Sequence, residues 1–179
     1  LTVAPMHNRY VAPFAEGGER AIDGTIASRL LSAALESGGD YAALFFEYGA
    51  SGGYAFDEGI LKSASRSVAM GLGVRVRKGE ATGYAYVEDF ELESMLRAAR
   101  TAAGIARSGG SRAPNAVVPR PVASRYPVET RSIDVDGPVK KALLERADRA
   151  ARAADPRVVR VDVSLAEEIR EILVASSDG

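Results

Sequence analysis

The sequence predicts an α/β protein of the α+β kind: a mostly antiparallel meander sheet packed by two helices, then the start of a second α/β unit made of a helix plus a β-hairpin. Three observations carry this. Leu72, Val74 and Val76, and then Ala81, Ala85 and Val87, place apolar residues in alternation on either side of Arg77-Lys-Gly-Glu80, the pattern of a hairpin with glycine in its turn. Leu92, Met95, Leu96, Ala99, Ala102, Ala103 and Ala106 recur at helical spacing. Between these segments and a second periodic set lies a stretch rich in glycine, serine and proline, residues 108–135.

Residues 1–21 carry Pro5, Pro13, Gly17 and Gly18 without periodicity and read as an irregular arm, with Val3, Tyr10, Val11 and Phe14 available to dock. Ile22, Ile26, Leu30, Leu31, Ala34 and Leu35 then predict a helix over about 24–37, with Asp23 placed to cap it and Gly38-Gly39 to end it. Leu44–Tyr48 and Tyr54–Phe56, rich in strand-forming aromatics, predict two strands across Gly49–Gly53. Asp57-Glu-Gly59 marks a tight turn into Ile60–Met70, and with the hairpin this gives about five strands joined too closely for parallel crossovers. Asp89 is placed to cap the helix that follows, about 91–107, which closes a domain over 22–107.

Beyond the linker, Asp136 and Pro138 open another helix, and Val139, Leu143, Ala147, Ala150 and Ala154 share the face expected to meet a core. Val159, Val161, Val163 and Leu165 alternate with polar residues as a half-buried strand, and Ile169–Ala175 is its expected partner across a turn at Ala166-Glu-Glu168. A helix and a hairpin over 136–179 bury little core unaided and read as the truncated start of a middle domain. The first residue, Leu1 rather than Met, and the last string, Ser176-Ser-Asp-Gly179, also suggest a piece of something longer.

Composition narrows the function classes. Hydrophobic residues make up 46% and charged residues 26%, and 23 Lys+Arg face 24 Asp+Glu, a balance without the broad cationic surface that phosphate neutralisation needs. No nucleic-acid partner is expected. The absence of cysteine excludes disulfide and thiolate chemistry within these 179 residues and fits a cytoplasmic setting. No apolar run approaches the ~20 residues of a membrane span, and no secretory leader pattern is present.

Candidate sites are few. Gly71-Leu-Gly73 has valine at position 76 where a dinucleotide fingerprint needs glycine, so these glycines suit a bulge or a close approach. The adjacent carboxylates Asp57-Glu58 and Glu167-Glu168 fall at expected turns, where they would be solvated. Ser63, Ser65 and Ser67 line one strand face with no histidine near them, and the single histidine, His7, sits in the arm. No catalytic, cofactor-binding or metal-ligating residue is assigned. Arg75, Arg77 and Lys78 form a compact basic cluster, a possible docking face for an acidic partner or for the C-terminus of a polypeptide; the plainer alternative is a solvated sheet face.

Several strings stand in a recognisable order: Ser37-Gly-Gly-Asp-Tyr-Ala-Ala-Leu-Phe-Phe-Glu47, Glu58-Gly-Ile-Leu-Lys-Ser63, Gly71-Leu-Gly-Val-Arg-Val76, Thr82-Gly-Tyr-Ala-Tyr86, Leu144–Pro156 and Val174-Ala-Ser-Ser-Asp-Gly179. Over about 25–179 the sequence resembles the N-terminal part of the TldD/PmbA family, and the Thr-Gly-Tyr-Ala-Tyr and Ser-Asp-Gly strings look more like its TldD branch. The resemblance implies a cytoplasmic protein historically labelled a modulator of DNA gyrase and understood as a zinc metallopeptidase, a hydrolase of unfolded peptides. It places the zinc on a His-Glu-x-x-x-His helix of a C-terminal domain, a string this sequence lacks, so the segment is expected to be inactive alone. What carries over is a scaffold role in substrate enclosure, with pairing as a homodimer or a TldD-PmbA-type heterodimer. The alternative is a non-catalytic PmbA-type subunit or a free-standing interaction module.

Overall fold

A computed structural model describes residues 10–106, 113–120, 122, 128 and 130–179. His7, Val3 and the rest of residues 1–9, together with 107–112, 121, 123–127 and 129 of the expected linker, lie outside the described residues. The elements are α1 (Gly24–Leu35), β1 (Tyr41–Asp57), β2 (Ile60–Lys78), β3 (Ala81–Val87), α2 (Leu92–Ile105), α3 (Gly137–Ala154) and β4 (Asp162–Ser176). The strands form an antiparallel sheet in the order β3-β2-β1-β4. The class is the α+β arrangement the sequence predicts. The expected meander of about five strands is three, because Gly49–Gly53 does not interrupt β1 and β2 runs unbroken from Ile60 through Gly71 to Lys78, and β4 joins them as the fourth strand.

The described residues fall into two compact units. The larger holds Val11–Tyr48, residues 69–106, 113–120 and 122, and Glu171–Gly179; the smaller holds Tyr10, Gly49–Val68 and residues 128 and 130–170.

In the larger unit, Asp23 caps α1 as expected, its Oδ1 accepting from the Ile26 N–H at 2.8 Å. Gly38 takes φ 92° just past the helix end, and its N–H donates to the Leu35 carbonyl at 3.0 Å. Helix α2 starts at Leu92 rather than under an Asp89 cap: Glu91 holds the cap position, while Asp89 Oδ1 accepts from the Glu91 N–H at 2.9 Å just ahead of it. Its Met95, Leu96, Ala99, Ala102 and Ala103 are buried, as the periodicity requires. The sheet contributes Ala42, Leu44, Phe46, Leu72, Val74 and Val76 to the same core. From the arm, Phe14 docks on Phe46 and Phe90 at ring-centroid separations of 5.9 and 5.4 Å. Strands β2 and β3 pair from Leu72↔Val87 to Lys78↔Ala81 around Gly79, whose φ of 54° suits glycine. The segment 113–120 is extended and is tied to the last residues by the Asn115 N–H, which donates to the Ser177 carbonyl at 2.9 Å.

The smaller unit departs most from expectation. Its β1–β2 turn is Glu58-Gly59, as predicted, with φ of 51° and 75°. The turn expected at Ala166-Glu-Glu168 does not exist: Asp162–Ser176 is one strand, and odd positions face inward along it without a break. Glu167 is therefore buried inside β4 rather than solvated at a turn. Helix α3 is also rotated from the predicted orientation. Lys140, Leu144 and Asp148 face inward, whereas Val139, Leu143, Ala147, Ala150 and Ala154 are exposed. The physical reason is electrostatic: the inward position of Glu167 requires a cation, and Lys140, three residues into the helix, supplies it. Ser132–Asp134 form one 3-10 turn inside the stretch expected as linker.

Candidate functional site

The predicted docking residues separate into two situations. Arg75 and Arg77 share one face of β2, opposite Tyr84 and Thr82 of β3, and both are exposed. The Arg77 guanidinium stands 6.0 Å from the Tyr41 ring. Lys78 points to the other side and pairs with Asp40 at 3.3 Å. The glycines beside them serve packing. A Cβ on Gly73 would stand 2.7 Å from the Tyr84 hydroxyl, and one on Gly71 would stand 2.5 Å from the Val87 carbonyl oxygen.

The chemistry-bearing side chains brought together by the fold lie in the smaller unit. Glu167 Oε1 accepts from Lys140 Nζ at 2.7 Å and lies 3.2 Å from Arg66 Nη2. Lys140 also donates to the Ile133 carbonyl at 3.5 Å and stands 5.5 Å from the Tyr54 ring. Nearby in sequence, Asp134 is buried and pairs with Arg131 at 2.7 Å, and Arg131 also donates to the Tyr10 carbonyl at 2.7 Å. Gly52 in β1 makes room for the cluster, since a Cβ there would lie 2.8 Å from Glu167 Oε1. Side-chain exposure of 4% for Lys140 and 1% for Glu167 makes this a buried ion pair, at the inner wall of the groove between α3 and β4, and Glu167 Oε2 is buried without a hydrogen-bond partner among the described residues.

Sequence reasoning missed this cluster, although one signal was present. Glu167 continues the parity of Val161, Val163 and Leu165, so a strand running through it had to turn its carboxylate inward. Asp57, the other carboxylate considered, ends β1 within 3.6 Å of Arg160. Ser63, Ser65 and Ser67 lie on exposed β2, with Ser65 Oγ against Gly53. Among the described residues no group of three or more His, Cys, Asp or Glu is placed to hold a metal ion. No described helix is long and apolar enough to cross a membrane.

Clefts lie in both units, and one of about 330 Å³ in the larger is lined by Phe45, Gly71, Gly73, Tyr84 and Tyr86. In the larger unit another cleft, of about 520 Å³, runs beside Leu173–Ser176, with Val117–Arg120 and the start of α1 on its other side. Four consecutive residues of an alternating strand can line one cleft only along the strand's edge, and β4 is an edge strand. In the smaller unit a groove of about 550 Å³ lies between α3 and β4.

Comparison with known proteins agrees with this architecture. The family profile described as PmbA/TldA metallopeptidase domain 1 matches residues 42–106, and that of the PmbA/TldA metallopeptidase central domain matches residues 131–179. A metalloprotease TldD homolog of Haemophilus influenzae is 36% identical over 143 residues, covering 78% of this chain and 30% of that protein. Its counterpart in Buchnera aphidicola subsp. Acyrthosiphon pisum is 31% identical over 140 residues, covering 78% and 29%. The chain thus spans about 30% of the length of the curated relatives it matches. Among solved structures, a Thermotoga maritima protein named as a modulator of DNA gyrase superposes with a TM-score of 0.65 at 19% identity, over 87% of this chain and 35% of that one. TldE from Thermococcus kodakarensis gives 0.56 at 19% identity, over 83% and 35%. At such identities the two structures speak for the fold alone, but the profiles and curated relatives meet on the strands and helices described above: the chain belongs to the PmbA/TldD family, of which it represents the N-terminal part.

Proposed function

We propose that this chain is the N-terminal scaffold region of a TldD-like zinc metallopeptidase acting on unfolded peptides, and that it contributes substrate enclosure and subunit contacts. The observation that carries the reading is the cleft along Leu173–Ser176. It is a slot beside an edge strand, bounded on the far side by the extended residues Val117–Arg120. An extended peptide entering it can pair with the β4 backbone, and main-chain pairing makes no demand on peptide sequence. A peptidase of unfolded proteins needs that tolerance.

The residues present do not fit zinc. The sequence has no cysteine and one histidine, and the described carboxylates form no ligand group. The zinc and the hydrolytic chemistry belong, on this reading, to the C-terminal domain that the family resemblance implies. A cytoplasmic setting agrees with a sequence free of cysteine.

Hydrogen exchange on the 179-residue protein tests the proposal. An unstructured peptide should slow exchange of backbone amides within residues 173–176, and the protein should leave the peptide intact with zinc present. Peptide binding without protection of that edge, or zinc-dependent cleavage by these 179 residues alone, overturns it.

A further inference from the structure

We propose that the groove between α3 and β4 docks the apolar carboxyl-terminal end of a partner protein. The floor is apolar: Val135, Val139, Leu143 and Leu165 line it, and Val139 and Leu143 are 60% and 43% exposed. Such exposure follows from the rotation of α3. Lys140, Leu144 and Asp148 take the inward face, which turns the helix's own apolar stripe outward. At about 550 Å³ the groove is in the range that binds compact ligands (roughly 300–1,000 Å³).

The charged residues lining the groove are Lys140, Arg146 and Arg149 against Glu167, an excess of positive charge. Helix α3 holds Lys140, Lys141, Arg146, Arg149 and Arg152 against only Glu145 and Asp148. Glu145 is engaged by Lys141 at 2.6 Å, Asp148 by Arg152 at 3.1 Å, and Lys140 is committed to Glu167. Arg146 and Arg149 make no ion pair among these, although the Arg149 charge acts on Glu145, and they lie one turn apart on the groove. Two guanidinium groups beside an apolar floor complement a carboxylate attached to apolar side chains, and the end of a polypeptide presents that combination compactly. A second copy would bring Arg146 and Arg149 against their own counterparts across a two-fold axis, which like-charge repulsion opposes. The groove lies in the smaller unit and the β4 slot in the larger, so docking here is independent of the peptidase reading.

The probe is a short apolar peptide, acetylated at its N-terminus and labelled internally, with either a free C-terminal carboxylate or an amide. Fluorescence anisotropy with the 179-residue protein should show the carboxylate form binding at least about tenfold more tightly, the effect of one charge-assisted contact. R146A/R149A should lose the same factor and much of the salt dependence. L143D should abolish binding, while circular dichroism of both variants stays that of the parent, these side chains being outside the core. Equal affinity for the two peptides, no binding of either, or binding unchanged in R146A/R149A overturns the proposal. Light scattering that reveals a dimer dissociated by L143D also overturns it, in favour of a second copy.

Discussion

Replacing Glu167 with glutamine removes the negative charge that Lys140 contacts among the described residues. In the parent protein the ammonium sits 2.7 Å from Glu167 Oε1, and its other neighbours are the Ile133 carbonyl at 3.5 Å and the Tyr54 ring at 5.5 Å. Neither replaces a counter-charge for a side chain 4% exposed. Orphaning one member of a buried pair costs about 3–5 kcal/mol. Arg66 adds little to that loss, because its side chain is 30% exposed and regains water. With a urea slope of about 1–3 kcal/mol per molar, the unfolding midpoint should fall by roughly 1–5 M. Lys140→Met is expected to lose less, since Glu167 then keeps Arg66 at 3.2 Å. The double variant K140M/E167L should recover much of the loss, because matched apolar groups remove both desolvation penalties together. The assay is urea unfolding followed by circular dichroism for the parent, both single variants and the double. A midpoint for Glu167→Gln within experimental error of the parent would refute the reasoning, as would a double variant whose loss equals the sum of the two single replacements.

Two further expectations concern other parts of the protein. Gly83→Ala would drive a Cβ into the Ala102 carbonyl and to 2.9 Å from the Ala106 nitrogen, both backbone atoms of the α2 region that no rotamer change can move. A loss of about 3 kcal/mol is expected in thermal unfolding, and parent-like stability would contradict the seating of α2 on β3. The Asp155 carboxyl is held below the ordinary aspartate value, first by the Arg157 side chain at 2.7 and 2.9 Å and then by the Arg157 N–H at 2.8 Å. Since its folded value lies below its unfolded one, any stabilisation is present above the unfolded value and is lost as pH falls through the folded value. A carbon-13 titration of Asp155 should therefore show a lowered midpoint that rises in Arg157→Ala; an unchanged midpoint contradicts the contact.

How legible these features were depended on what fixed them. Helices α1 and α2 and the Gly79 hairpin were readable because local signals agree with burial: a capping Asp23, an alanine-rich stripe, a glycine at positive φ. The orientation of α3 was not, since Val139, Leu143, Ala147, Ala150 and Ala154 make the more apolar face, and only the distant Glu167 makes Lys140 the inward residue. The same distance in sequence hid Gly52, which sits where two strands would be expected to separate and instead leaves space for that carboxylate. The β4 slot and the α3–β4 groove depend on how strands and helices lie side by side, so neither could be read from residue types in order.

The string Thr82-Gly-Tyr-Ala-Tyr86, one of those that carry the family resemblance, shows why a protein can declare its family while declaring no chemistry. Gly83 is the position where α2 comes down on β3, so any side chain there meets helix backbone. Tyr84 lies over Gly73 on the neighbouring strand, its ring filling the space beside the glycine two residues before Arg75. Each of these residues specifies how a helix or a ring seats on the sheet, and none presents a reactive group. Recognition through the edge of β4 would use N–H and C=O groups that every residue carries. A scaffold working in that way places its sequence constraints in packing, which is where the recognisable residues of this protein are found.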